Sequence, residues 1–77
     1  MFENILRKEE EKHLKFVYQK NTIYIENYKK LLIFDDEHIL LETIDKRINI
    51  KGKNLIITRF YEKEILISGE IKDIEFR

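Results

Sequence analysis

The pattern Ile-x-Ile-x-Gly occurs twice in the C-terminal half, as Ile48-Asn49-Ile50-Lys51-Gly52 and as Ile65-Leu66-Ile67-Ser68-Gly69. Each copy alternates β-branched residues with other types and then breaks at one of the chain's only two glycines. Alternating side chains point to opposite faces of an extended strand, so each copy reads as a short strand ending in a turn or bulge. Proline is absent.

The rest of the chain extends this reading. Leu14–Tyr18 is rich in strand formers, and Thr22–Glu26 alternates cleanly, with Ile23 and Ile25 on one face and Tyr24 on the other. Gln19-Lys20-Asn21 turns the first into the second. Leu31–Phe34 is apolar on both faces, as in a strand covered on both sides. Asp35-Asp36-Glu37 is a polar turn into His38–Thr43, and Asp45-Lys46-Arg47 turns into Ile48–Lys51. Lys51-Gly52-Lys53-Asn54 reads as a basic, solvated hairpin connection before Leu55–Phe60, and Glu62-Lys63-Glu64 as a turn before Ile65–Ser68. In the final stretch Ile71 is out of phase with Ile74 and Phe76, which predicts a bulge after Gly69. The inward phase runs through Ile23, Ile25, Leu31, Ile33, Ile39, Leu41, Ile48, Ile50, Leu55, Ile57, Ile65, Ile67, Ile74 and Phe76. Met1–His13 reads as a short helix with Phe2, Ile5 and Leu6 on one narrow face. The expected fold is mainly β. It is a small curled antiparallel sheet (roll, barrel or two-layer sandwich) of about seven or eight short strands. The helix covers Met1–His13 and the β domain Leu14–Arg77.

A chain of 77 residues holds one modest core, and such domains are marginal without staples. There is no cysteine, which excludes disulfides and thiolate metal sites. His13 and His38 lie too far apart to make a metal signature, and Asp35-Asp36-Glu37 lacks the spacing and glycine of a calcium loop. Self-association into a homo-oligomer is therefore the expected remedy, since sheet edges need covering. Lys plus Arg and Asp plus Glu both number 15, so the net charge is zero and nothing drives nonspecific nucleic-acid binding. The longest apolar run, Leu31–Phe34, is far short of a membrane span, and the charged N-terminus does not resemble a signal peptide. A cytoplasmic compartment is expected. No nucleophile–base pair, metal set or glycine-rich phosphate cradle is visible, so neither an enzyme nor a cofactor is expected.

Two groups of segments carry a resemblance. Ile23-Tyr24-Ile25-Glu26-Asn27 followed by Leu31-Leu32-Ile33-Phe34 is one. Leu40-Leu41-Glu42-Thr43, then Ile48-Asn49-Ile50-Lys51-Gly52-Lys53-Asn54-Leu55, then Ile65-Leu66-Ile67-Ser68-Gly69-Glu70-Ile71, is the other. Together they resemble the YabP/YqfC family of sporulation proteins, over about Leu14–Arg77. The resemblance implies a non-enzymatic accessory protein of endospore-forming bacteria, made in the mother cell and acting at the forespore envelope. It also implies a membrane-protein partner of the YqfD type. The family brings no catalytic residues to carry over. Docking is expected through Phe2, Ile5 and Leu6, or through the final strand with Ile71, Ile74 and Phe76. Gly52 and Gly69 are expected at turns or bulges. A weaker resemblance, carried by Leu32-Ile33-Phe34-Asp35 and Ile50-Lys51-Gly52-Lys53-Asn54, is to the Sm-like RNA-binding fold, which presents a basic-glycine turn.

Overall fold

The computed structural model describes residues 14–77; the helix expected over Met1–His13 lies outside them. Six strands follow in order: β1 (Lys15–Gln19), β2 (Thr22–Glu26), β3 (Lys30–Phe34), β4 (His38–Glu42), β5 (Arg47–Tyr61) and β6 (Glu64–Phe76). They form one antiparallel sheet in the order β1-β2-β6-β5-β4-β3. The mainly β, curled antiparallel expectation describes this sheet, but seven or eight strands is more than the six among the described residues. The segments around each glycine do not end there; they join into two long strands of 15 and 13 residues. β1 and β3 do not pair with each other, so the sheet is open rather than a closed barrel.

The long β5–β6 hairpin is the frame. β2 pairs with residues 64–68 of β6, and β4 with residues 47–51 of β5, so each end of the hairpin carries two further strands. The two ends fold toward each other. Ile23, Ile25, Ile65 and Ile67 come from one end, Ile39, Leu41, Ile48 and Ile50 from the other. With Leu55 at the bend, all nine are excluded from solvent in a single cluster. Phe16 of β1 meets Phe76 of β6 edge to face across the two ends, ring centroids 5.1 Å apart. Burying each aliphatic side chain contributes about 1.5–3 kcal/mol, which sets the inward phase of every strand.

The glycines make the bend. Pairing passes from Lys51↔Asp73 to Gly52↔Ile71, leaving Lys72 over, then from Lys53↔Glu70 to Ile56↔Ser68, two residues on β5 against one on β6. Such bulges bend a strand and increase its twist. Gly69 takes φ 137°, and a Cβ there would lie 2.7 Å from the Asn54 carbonyl oxygen. A Cβ on Gly52 would overlap the Glu70 carbonyl oxygen. Turns pin the bend: Gly52 N–H donates to Glu37 O (3.0 Å), Leu55 N–H to Asp36 O (2.8 Å) and Gly69 N–H to Asn21 O (3.1 Å).

Three further expectations need correction. Lys51-Gly52-Lys53-Asn54 is not a hairpin connection but the bent middle of β5. Leu31–Phe34 is not covered on both sides. It belongs to β3, the edge strand, where a register shift between Leu31 and Ile33 leaves Leu32 over and Ile33 exposed. Phe76 is also exposed, because it sits at the end of its strand and touches Phe16 only at the ring edge. Conversely, Tyr28, which lies outside every alternating segment, is buried: its ring stacks on Phe60 and its hydroxyl donates to the Tyr61 carbonyl oxygen at 2.8 Å.

Candidate functional site

β1 is held as one arm of a tight hairpin, with Lys20 in the left-handed region at φ 54°. Register then sets its outer face. Val17 lies opposite Tyr24, Tyr24 opposite Leu66 and Leu66 opposite Arg59, one row crossing four strands. Because Ile23, Ile25, Ile65 and Ile67 take the inward phase, this row faces out. The shift between Ile57 and Arg59 leaves Thr58 over and brings Arg59 into the row; the Thr58 hydroxyl donates to the Leu66 carbonyl oxygen at 3.3 Å.

The result is an open groove of about 480 Å³ lined by Val17, Gln19, Lys20, Thr22, Tyr24, Arg59 and Leu66. Its lining joins the apolar Val17, Tyr24 and Leu66 to two cations, Lys20 and Arg59. Arg59 lies 3.8 Å from Glu64 and 5.9 Å from the centroid of the Tyr61 ring. The Tyr24 hydroxyl is pushed above its ordinary range by loss of solvent, and further by the carboxylates of Glu26 and Glu64; Arg59 opposes them. Such a surface suits a partner segment with one apolar side and an acceptor for Arg59.

The other side of β1 borders a second, smaller hollow of about 160 Å³, lined by Tyr18, Ile71, Lys72, Asp73 and Ile74. Residues 71–76 pair with β5 on one side, while β2 stops at Ser68, so among the described residues their other edge has no strand beside it. The structure thus places the expected docking residues unequally. Ile71 and Ile74 are half-buried and pack on the core, leaving the backbone edge as the accessible feature. Phe76 is exposed beside Phe16. Phe2, Ile5 and Leu6 fall outside the described residues. Sequence reasoning missed Val17, Tyr24, Leu66 and Arg59. The signal lay in phase: Tyr24 and Leu66 occupy the opposite phase to the isoleucines beside them.

On the outer face of the other end, His38, Asn49, Glu75 and Arg77 form a polar chain. A His38 ring nitrogen meets Asn49 Oδ1, Asn49 Nδ2 lies 3.5 Å from Glu75 Oε1, and Arg77 donates to Glu75 at 3.2 Å. Asp35, in the acidic turn, accepts the Glu37 N–H at 2.8 Å. Among the described residues no group of three or more His, Asp or Glu side chains is set to hold a metal ion. No helix among them is long and apolar enough to cross a membrane.

The model of the YabP family matches residues 9–77. The chain is also 35% identical over 54 residues to the uncharacterized protein YqfC of Bacillus subtilis (strain 168). That match covers 70% of this chain and 58% of the relative, so the chain spans less than two thirds of the relative's length.

Proposed function

The chain belongs to the YabP/YqfC family, and from that premise we propose that it is a non-enzymatic sporulation module. It works in the mother cell at the forespore envelope by docking to a membrane protein of the YqfD type. The observation that carries the docking reading is β1 and its surroundings: a groove on one side, and on the other an edge of β6 with no strand beside it among the described residues. Edge addition supplies backbone hydrogen bonds without a deep pocket, and the groove supplies side-chain selection.

The test has two parts. Deletion of the gene in the native host is expected to lower the count of heat-resistant spores. Capture of the tagged protein from sporulating cells is expected to bring down a membrane protein, with recovery reduced about tenfold by Tyr18→Glu, a loss of ~1.4 kcal/mol in binding. Tyr18 is half-exposed, so the variant should keep its fold. Normal spore counts with no co-purifying membrane protein overturn the proposal.

A further inference from the structure

The sheet's other end differs in kind from β1. Among the described residues β3 is an edge strand, and Leu32, Ile33 and Phe34, three consecutive apolar side chains, are 37%, 40% and 50% exposed. Natural edges are normally blunted with charge or proline. Here the charges stand at the two ends of the strand, segregated by sign: Lys29 just before it and Lys30 as its first residue, Asp35, Asp36 and Glu37 after it. All five are exposed.

That arrangement is self-complementary in one orientation. We propose that β3 pairs antiparallel with β3 of a second copy, about a two-fold axis near Ile33, to extend the sheet across both molecules. Leu32 and Phe34 of each copy then meet their counterparts in the middle. Lys29 and Lys30 of each copy come alongside Asp36 and Glu37 of the other, so opposite charges meet at both ends. A parallel pairing would set lysine on lysine and carboxylate on carboxylate, which is destabilising. The self-matching charges favour a second copy over an unrelated strand, because any other occupant would need the same two-ended pattern. The pairing is isologous, so it consumes the edge in both copies and stops at two. The bulge at Leu32 shortens the flat part of the edge, which weakens the backbone contribution and leaves the side chains and charges to set the affinity.

Charge exchange tests this. Sedimentation velocity over a concentration range should show a monomer–dimer equilibrium for the natural chain, weakened by added salt. Two double variants, Lys29→Glu with Lys30→Glu and Asp36→Lys with Glu37→Lys, should each dimerise at least about tenfold more weakly alone. Both keep the Asp35 turn bond and alter only exposed side chains; circular dichroism checks their fold. Mixed in equal amounts, they should form a mixed dimer of natural strength, since each variant's ends now match the other's. A natural chain that stays monomeric, a dimer indifferent to both variants, or a mixture that fails to recover overturns the proposal. The charge variants leave Tyr18 and β1 untouched, so this outcome is independent of partner capture through β1.

Discussion

Tyr28 is the residue on which the crossing between the two ends of the sheet depends. It follows β2, precedes β3, and ties that connection to the end of β5 through its hydroxyl and its ring. Tyr28→Phe keeps the stacked ring and removes the donor to the Tyr61 carbonyl oxygen. Thermal or urea unfolding should show a loss of about 1 kcal/mol, the net worth of one such bond. Burial also raises the Tyr28 pKa above the ordinary 10.0, and Tyr24 shifts the same way. The unfolded chain therefore releases these protons first. Stability should be unaffected by these groups below pH 10 and fall as pH rises through the folded-state values. In Tyr28→Phe the fall should be shallower, and a titration of phenolate absorbance should lose one late-ionising component. An equally steep fall would show that Tyr28 does not contribute. Nothing local in Asn27-Tyr28-Lys29-Lys30 announces this role. A lone aromatic between polar residues is buried only because Phe60 and Tyr61, 32 and 33 positions later, come back to it.

At the scale of the element, the long hairpin explains both what the sequence discloses and what it conceals. Alternation places nine of the fully buried side chains correctly, since period two is a local property of a strand. The out-of-phase Ile71 likewise marks a bulge, which the structure places at Lys72. Alternation cannot distinguish a strand that ends at glycine from one that bends there. Gly52 and Gly69 read as stops, yet they stand nearly opposite each other, where the backbones of β5 and β6 approach closely. Position across the sheet is equally silent: Leu31–Phe34 has the composition of a covered strand and forms an edge. Gly52→Ala tests the bend directly. Its Cβ meets backbone rather than a mobile side-chain tip, so the hairpin must shift. The expected cost is about 3 kcal/mol or more by denaturant titration, far above the ~1 kcal/mol typical of point substitutions. A cost below that typical value would mean that the approach of Glu70 is not needed for the fold.

At the scale of the whole molecule, the candidate surfaces lie at opposite ends of one strand order, β1 at one end and β3 at the other. The groove along β1 was not legible in advance, because its row is assembled from four strands whose order follows from the bend. The charged flanks of β3 were legible as composition but not as an edge. If β3 pairs with a second copy, association is linked to folding, because the dimer binds only folded chains. A core of this size leaves little margin, so the linkage should be visible in ordinary thermal scans. Taking the entropy of unfolding as proportional to chain length, each tenfold rise in concentration should raise Tm by about 4 °C for a dimer that unfolds to separate chains. The variant with Lys29→Glu and Lys30→Glu should melt at a temperature that hardly depends on concentration, and should meet the natural chain's curve at high dilution, where both are monomers. Convergence on dilution separates lost pairing from lost intrinsic stability: a variant that melts lower at every concentration by the same amount has been damaged in its fold. Circular dichroism in the far ultraviolet follows both curves, since the sheet itself is what melts.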